Sequence, residues 1–319
     1  MTESAASVPR LVVGYIATDR GRDAISLAIS IARSVEIELV VTIIRPESST
    51  FHAAGSIPKD GTGIVAQQLD EWLEEALALI PDDIAARGVI HTASNESKGL
   101  MEVASDEGAV AIVIGARATT LMRQFRIGTV ATSLLHSSEV PVVLAPAGRS
   151  DIGPVSRITT LFGARPGAAA LIGSAIEAAT AFDVDLRLVA LIENDGMAED
   201  EIAEVTEFAE EYGGAVLAAR ASDLFASGRA TVVSEGGADI EEAAESVEWI
   251  SGELAFIGSS RLGHGRVFIG ARARRLLRVL PVPVVVIPRR TLSRTDDATG
   301  ADTSARADGD AQAAAGEQR

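Results

Sequence analysis

The stretch Val140-Pro-Val-Val-Leu-Ala-Pro146 and the stretch Val282-Pro-Val-Val-Val-Ile-Pro288 are almost the same sequence. Upstream of each, the same order of apolar runs, helical patterns and glycines recurs, so that residues 11–146 correspond to residues 158–288. A repeat of this length is domain-sized and is too long for a solenoid. The sequence therefore predicts two copies of one domain, and a function read in one copy can be checked in the other.

Each copy alternates short apolar segments with helical segments. In the first copy we predict strands at 11–16, 35–44, 88–92, 109–114 and 140–144, and helices at 22–33, 67–80, 99–106 and 129–138. In the second copy we predict strands near 157–162, 184–192, 230–234, 254–257 and 282–287, and helices near 167–181, 198–226, 238–248 and 271–280, the second of them broken at Gly213-Gly214. Apolar strands that alternate with helices indicate an α/β fold, here two similar five-stranded, mainly parallel sheets with helices on both faces.

These patterns predict two domains, at residues 10–147 and 157–290, joined by a linker at 148–156 in which Gly153-Pro154 marks a hinge. Residues 1–9 and 291–319 are predicted to be disordered, because the tail has almost no large apolar side chain. The last strand of each copy is too apolar to form an exposed sheet edge safely. We therefore expect the domains to pack as an intrachain pseudo-dimer whose edges cover each other, in a chain that is a monomer or a homodimer.

The composition limits the function. The 319 residues include no cysteine, which excludes disulfides, thiol catalysis and cysteine-based metal sites. A formal net charge of −17 argues against nonspecific binding of nucleic acid or of anionic lipid. The first ten residues lack the pattern of a secretory signal, and no apolar run approaches the length of about 18 residues that a membrane span needs. We expect a cytoplasmic protein with no nucleic-acid partner and no membrane insertion.

A glycine-rich loop follows the fourth predicted strand of each copy. In the first copy it runs from Gly115 to Thr129, and a helix begins at Gly128-Thr129. Sheets of this class bind ligands beyond the carboxyl ends of the strands, where the strand order reverses. A helix N-terminus offers unpaired N–H groups and a partial positive charge, both of which suit phosphate. Arg117 can neutralise phosphate charge and Thr129 can add a hydroxyl group.

This pattern resembles the ATP-binding loop of the universal stress protein family, in which three spaced glycines and a final serine or threonine follow the fourth strand. Gly115 stands at the first glycine, Ala118 at the second, and Gly128-Thr129 close the loop at the family's spacing. The Val-Pro-Val-Val strand at the end of each copy is also typical of the family. The resemblance covers nearly the whole folded part of the chain twice. It identifies a tandem member, with a fold of the universal stress protein and adenine nucleotide alpha hydrolase type.

The resemblance implies ATP, with its associated magnesium, as a ligand of the first copy. The first copy departs from the family at two places. Ala118 replaces a glycine, and Tyr15 or Ile16 stands where ATP-binding members usually have an aspartate that contacts the adenosine. We therefore predict a degenerate ATP-binding loop.

The second copy departs further, because its loop is one residue shorter and Ala271 takes the place of the hydroxyl residue. The glycines that remain as candidate binding residues are Gly258, Gly263, Gly265 and Gly270. The helix that follows carries four arginines, which either bind phosphate or pair with the protein's many acids: Arg272, Arg274, Arg275 and Arg278.

No catalytic or metal-ligating group stands out in either copy. The histidines are not at helical spacing from one another, and the chain has neither a Gly-x-Ser-x-Gly elbow nor a Walker lysine motif. We expect a non-catalytic stress-response or regulatory protein that binds an adenine nucleotide or a protein partner. Two alternatives stay open: a weak ATPase or other nucleotide-processing enzyme, and a nucleotide-free regulator of a partner such as a membrane transporter.

Overall fold

The computed structural model describes residues 8–47, 60–116, 128–148, 153–163, 168–259 and 270–288, without the side chains of 60–63. The elements of the first half are β1 Arg10–Gly14, α1 Asp19–Ala32, β2 Glu38–Pro46, α2 Asp60–Leu77, β3 Ala86–Ala93, α3 Glu96–Asp106, β4 Ala111–Gly115, α4 Thr129–Ser137 and β5 Val142–Ala145. Those of the second half are β6 Arg157–Phe162, α5 Ala168–Phe182, β7 Asp185–Glu193, α6 Glu199–Arg220, α7 Ser222–Ala226, β8 Ala230–Gly237, α8 Ile240–Glu245, β9 Glu253–Gly258, α9 Ala271–Val279 and β10 Val284–Ile287. Within these ranges, no helix is long and apolar enough to cross a membrane.

The strands of both halves form one continuous sheet in the order β3-β2-β1-β4-β5-β10-β9-β6-β7-β8. Within each half all neighbouring strands are parallel, and β1 and β6 lie at the point where the strand order reverses. The predicted α/β class with mainly parallel strands is confirmed. The sequence predicts two five-stranded sheets whose last strands cover each other; in the structure β5 and β10 pair with each other and join the two sets of strands into one sheet.

The β5–β10 pair is antiparallel, with Val143 opposite Val285. All six paired residues are buried, so the contact satisfies the backbone of two apolar edges and removes their side chains from water. Because the pair is antiparallel, all strands of one half run opposite to those of the other. The carboxyl ends of the two sets of strands therefore lie at opposite edges of the sheet.

Two hydrophobic cores cover the sheet, and each spans both halves. Residues from α1, α2, α5 and α6 pack on one face, and residues from α3, α4, α8 and α9 pack on the other. Successive strand residues alternate between the cores, as Val12 and Val13 do, because side chains of a strand point to opposite faces. The two copies are thus continuous through the strand pair and through both cores.

Several elements differ from the sequence predictions. The predicted break at Gly213-Gly214 is wrong, because α6 runs through both residues and ends at Arg220. A Cβ on Gly213 would lie 2.8 Å from Cγ1 of Val232, so this glycine lets α6 approach β8 closely. Helices α1 and α3 each begin three residues before their predicted starts. Helix α2 begins at Asp60, before its predicted start at residue 67. The predicted disordered tail at 291–319 and residues 1–7 are outside the described residues.

The described end of the linker is held by hydrogen bonds. The Ser30 hydroxyl of α1 donates to the Gly153 carbonyl, and the Val155 N–H donates to the Ser34 hydroxyl over 2.8 Å. The N–H of Ser156 donates to the Gly252 carbonyl over 2.8 Å. The segment where the sequence predicts a hinge is therefore attached to α1 on one side and to the second half on the other.

Arginine–glutamate pairs occupy the amino ends of the strands in both halves. Arg10, the first residue of β1, bonds Glu38 at 3.0 Å, and Arg157, the first residue of β6, bonds Glu253 at 2.8 and 3.0 Å. Burial pushes the pKa of the Glu253 carboxyl up, but hydrogen bonds from Arg157, Thr159 and the Ile250 N–H hold it below its ordinary value. These arginine and glutamate charges neutralise each other at the amino ends of the strands, whereas the predicted ligand sites lie at the carboxyl ends.

Close backbone contacts place the start of α1 against the carboxyl ends of β1 and β4. A Cβ on Gly115 would lie 1.9 Å from the Arg20 carbonyl oxygen, and a Cβ on Gly21 would lie 2.0 Å from the Ile16 carbonyl oxygen. At Gly258, the equivalent of Gly115 in the second half, the nearest atom among the described residues is Cδ2 of Leu171 at 3.7 Å, an ordinary contact. Gly115 is therefore required for packing in the first half, whereas no described residue crowds Gly258.

The β5–β10 pairing predicts a cross-link between Val143→Cys and Val285→Cys. Residues opposite each other in an antiparallel pair have Cα atoms about 4.5–5.5 Å apart, within disulfide range, and the chain has no other cysteine. After mild oxidation we expect an intrachain disulfide, seen on non-reducing gels and by intact mass. The control V143C/V286C places the thiols on opposite faces and should stay reduced. Covalent dimers, or equal cross-linking of both variants, would contradict the pairing.

The close contact at Gly115 predicts that the same substitution has different effects in the two halves. Gly115→Ala forces a methyl group into the Arg20 backbone and should lower the free energy of unfolding by about 1–3 kcal/mol. Gly258→Ala should change it by no more than about 0.5 kcal/mol. Urea unfolding of both variants measures this difference, and equal destabilisation of the two would show that the contact is not specific to the first half.

Candidate functional site

A cleft lies at the carboxyl ends of β1 and β4, where the strand order of the first half reverses. Its volume is about 170 Å³. The described residues that line it come from both strand ends and from three helices: Gly14, Ile16, Arg20, Gly21, Glu96, Ile114, Gly115, Ala116, Gly128, Thr129, Val130 and Ala131. The cleft is thus at the position where open α/β sheets bind their ligands.

Three helices begin at this cleft. Arg20 and Gly21 belong to the first turn of α1, Glu96 is the first residue of α3, and Thr129 is the first residue of α4. Each helix N-terminus carries a partial positive charge of about half a unit, and the Arg20 guanidinium adds a full one. The Glu96 carboxylate, which lines the same cleft, offsets part of this positive charge, so the donors suited to an anion are the helix ends and Arg20.

The N-terminus of α4 has no side-chain cap. Gly128 is the N-cap residue in an extended conformation, and its carbonyl accepts the first helical hydrogen bond, from Thr132 at 2.9 Å. The first N–H groups of an α-helix have no partner inside the helix. At α4 these donors face a cleft and are not bound by a capping side chain, which is the arrangement that binds phosphate.

Helix α3 is fixed beside α4 by polar contacts. The Asn95 side chain caps α3 by accepting from the Lys98 N–H at 2.9 Å, and the Ser97 hydroxyl donates to the Ser133 hydroxyl of α4 at 2.9 Å. Asn95 is a neutral cap, and the acidic residue of the first turn of α3 is Glu96.

Glu96 places a half-buried carboxylate in the cleft. Burial raises its pKa above the ordinary value, and the charge of Arg20 opposes this rise in part. Among the residues described, none donates a hydrogen bond to this carboxylate. Among the described residues of the cleft, Glu96 therefore adds a charged acceptor to the N–H donors of the helix starts.

Three of the predicted site residues lie together, because Gly115, Gly128 and Thr129 line the same cleft. Arg117 and Ala118 are outside the described residues. Tyr15 is buried at 2% exposure, and Ile16 lines the cleft, so the end of β1 presents no carboxylate there. The binding of a nucleotide by these residues stays a prediction.

In the second half, Gly258 ends β9 and Gly270 is the N-cap of α9, in the same positions as Gly115 and Gly128. Gly263 and Gly265 are outside the described residues. Two of the arginines of α9 pair with acids: Arg272 with Glu193 at 3.3 Å, and Arg275 with Asp239 at 3.0 Å and Glu241 at 2.6 Å. The positive charges of Arg272 and Arg275 are therefore balanced by acids of the protein, and no phosphate is needed to balance them.

One helix start of the second half, that of α8, is capped by a carboxylate. Asp239 accepts from the N–H groups of Glu241 and Glu242, and these bonds lower the pKa of its carboxyl. Asp239 corresponds to the neutral Asn95 of the first half. The start of α9, like that of α4, has a glycine N-cap and no side-chain cap.

A second cleft, of about 260 Å³, lies elsewhere in the second half, at the carboxyl end of β7. Val205 and Phe208 of α6 form one apolar side of it, and Arg272 closes the other. Arg272 also donates to the Leu191 carbonyl at 2.9 Å. This cleft is lined by apolar side chains and by an arginine that is already paired.

Sequence reasoning missed Arg20 and Glu96. Both lie in helix starts that were predicted three residues too late, because the prediction began at the first apolar repeat. The residues Thr18-Asp19 and Asn95-Glu96 are typical of an N-cap followed by an acidic first turn, and this signal would have placed both helix starts correctly.

Comparisons with known proteins agree with this architecture. The universal stress protein family model matches residues 8–146 and again residues 156–288. A universal stress protein of Mycobacterium tuberculosis is 28% identical over 296 residues, covering 87% of this chain and 99% of that protein. Among solved structures, a universal stress protein from Archaeoglobus fulgidus has a TM-score of 0.61 at 16% identity, covering 89% of this chain and 100% of that one.

A further solved structure is the Archaeoglobus fulgidus universal stress protein in complex with dAMP. It covers 43% of this chain and 96% of its own, with 23% identity and a TM-score of 0.32. The resemblance seen in the sequence is confirmed by the family match in both halves. The chain belongs to the universal stress protein family, as a tandem member that carries the family's domain twice.

Proposed function

We propose that this protein is a non-catalytic regulator that binds an adenine nucleotide in the cleft of its first half. The observation that carries the proposal is the convergence of three helix N-termini and Arg20 on a cleft that Gly115, Gly128 and Thr129 line. Such a cleft suits a phosphate group in a protein that otherwise repels anions.

The phosphate would lie against the first turn of α4. The uncapped N–H groups of that turn would donate hydrogen bonds to the phosphate, and the Thr129 hydroxyl would donate another. The Arg20 guanidinium would add a positive charge. Gly128 has no side chain to keep a ligand from the helix end. These residues fit the phosphate of a nucleotide.

Magnesium would be bound to the nucleotide and would not occupy a metal site formed by the protein. In the described part of the chain, histidine, aspartate and glutamate side chains form no group of three or more that is able to hold a metal ion. The cation would therefore be bound by phosphate oxygens and water, as is usual for magnesium at nucleotide sites.

The absence of an acid at the end of β1 lowers the expected affinity. The loss of one charge-assisted hydrogen bond costs about 1.5–3 kcal/mol, which is roughly a tenfold to hundredfold change in the dissociation constant. We therefore propose a weak site. Binding experiments need nucleotide at millimolar concentrations.

The acid that precedes the fourth strand is not placed to assist hydrolysis. Glu107 precedes β4 at its amino end and pairs with Arg10 and Arg87, far along the strand from the cleft. Glu96 is the carboxylate within the cleft, so steady phosphate release that Glu96→Gln abolishes would favour the ATPase alternative. The proposed regulatory role includes contact with a protein partner, made by the chain as a monomer or as a homodimer.

Calorimetry with ATP, ADP and AMP tests the proposed site through a matched pair of variants. We expect the wild-type protein and Gly270→Val to bind at least one of these nucleotides, and Gly128→Val to bind it at least about tenfold more weakly. The valine side chain would cover the uncapped N–H groups at the start of α4, whereas Gly270 begins a helix in which Arg272 and Arg275 are already paired.

Both substitutions suit the extended backbone of an N-cap residue, so thermal unfolding should be similar for the two variants. Flat titrations of the wild-type protein with all three nucleotides would leave only the partner-binding role. Loss of binding in Gly270→Val but not in Gly128→Val would move the site to the second half.

A further inference from the structure

We propose that Glu96 determines the specificity of the first-half cleft, by accepting hydrogen bonds from the ribose hydroxyls or the base amino group of the bound nucleotide. This inference rests on the proposed function, since it concerns the same cleft. Among the described residues that line the cleft, Glu96 is the one with an acidic side chain.

The position of Glu96 is fixed by its surroundings. Asn95 before it caps α3, and Ser97 after it is bonded to Ser133 of α4. One turn further, Leu100 is fully buried against the end of β1, where a Cβ on Gly14 would lie 3.0 Å from Leu100 Cδ1. The carboxylate therefore projects from a rigid helix start and is not a mobile surface charge.

The Glu96 carboxylate has no hydrogen-bond donor in the part of the chain that the structure describes. It is half-buried, and none of the described residues gives it a hydrogen bond, although Arg20 acts on it through charge. Removal of a carboxylate from water without replacement hydrogen bonds costs free energy, and the raised pKa is the sign of that cost. A ligand that brings its own donors would recover it.

The charge of Glu96 indicates which end of the ligand it contacts. Phosphate oxygens are negative acceptors, so they are repelled by a carboxylate and attracted by the start of α4. The hydroxyl and amino groups of a nucleoside are neutral donors, and they complement Glu96. A nucleotide has both kinds of group, and it would bind with its phosphate at α4 and its nucleoside near α3.

The second half supplies an internal comparison. The residue after the N-cap of α3 is Glu96, and the residue after the N-cap of α8 is Ile240. Ile240 is fully buried in the apolar core. An acidic side chain therefore follows the neutral cap Asn95 in the first half, whereas a core residue follows the acidic cap Asp239 in the second half.

The proposal is tested by calorimetry with AMP, 2′-deoxy-AMP and IMP, in the wild-type protein and in Glu96→Ala. The first analogue lacks a ribose hydroxyl, and the second lacks the base amino donor. We expect the wild-type protein to bind AMP about tenfold to hundredfold more tightly than at least one of them, because a charged hydrogen bond is lost. In Glu96→Ala that ratio should fall to about one.

The ratio of the affinity for AMP to that for each analogue is measured, and not the affinity for AMP alone. Removal of a negative charge from the cleft also strengthens phosphate binding, and it changes all three affinities together. Glu96→Gln keeps an acceptor and should retain part of the discrimination. The control Asp106→Asn removes the same charge from the exposed last turn of α3 and should leave the ratio at its wild-type value. Thermal unfolding of each variant checks that the fold is intact.

If the wild-type protein binds AMP and Glu96→Ala keeps the wild-type ratio, the role of Glu96 is overturned while the proposed function stands. Equal binding of AMP and both analogues by the wild-type protein would overturn it as well. If the wild-type protein binds none of the three, the proposed function itself fails.

Discussion

The antiparallel pairing of β5 with β10 organises the whole molecule. Each strand is short, apolar and last in its half, so neither is stable as an exposed edge, and each supplies the backbone partner that the other lacks. The pair turns two five-stranded sets into one sheet with two shared cores. It also sends the ligand-binding edges of the two halves to opposite sides. The halves therefore cannot share one site, and each must be judged by its own residues.

The two halves have the same backbone plan and different side chains at the site. In the first half, a neutral Asn95 caps α3 and Thr129 begins an uncapped α4. In the second half, Asp239 caps α8 and Arg275 of α9 pairs with it. In the first half the acidic residue follows the cap and lines the cleft, whereas in the second half the cap itself is the acid and pairs with an arginine. Duplication has thus kept the fold twice, with a different placement of charge at the start of the equivalent helix.

Much of the fold could be predicted from the sequence, because buried parallel strands are apolar throughout and stand out between helices. Gly115 and Gly128 could also be placed near each other, since both flank one strand-to-helix loop. Pairing between strands far apart in the chain leaves no local pattern, so the single sheet could not be foreseen beyond the expectation that apolar edges are covered. Gly213 shows the opposite error: glycine suggested a break, but close packing against Val232 explains it.

The charged residues of the cleft were beyond prediction for a similar reason. Arg20 and Glu96 are separated by most of the first half and meet only because α1 and α3 begin at the same edge of the sheet. Their residue types are common on protein surfaces, and nothing in the local sequence distinguishes them. Gly115 belongs to the loop motif, but packing also requires a glycine there. The Arg20 carbonyl oxygen leaves no room for a side chain, whether or not a ligand is present.

Amide hydrogen exchange with and without saturating AMP tests most directly whether the first half alone provides the site. The account predicts slower exchange at the helix starts of the first half, in peptides over residues 14–22, 94–100 and 128–133. Peptides over the equivalent residues 238–244 and 270–276 should be unchanged. Protection of the second-half peptides, or no protection at the start of α4 while AMP is bound, would contradict it.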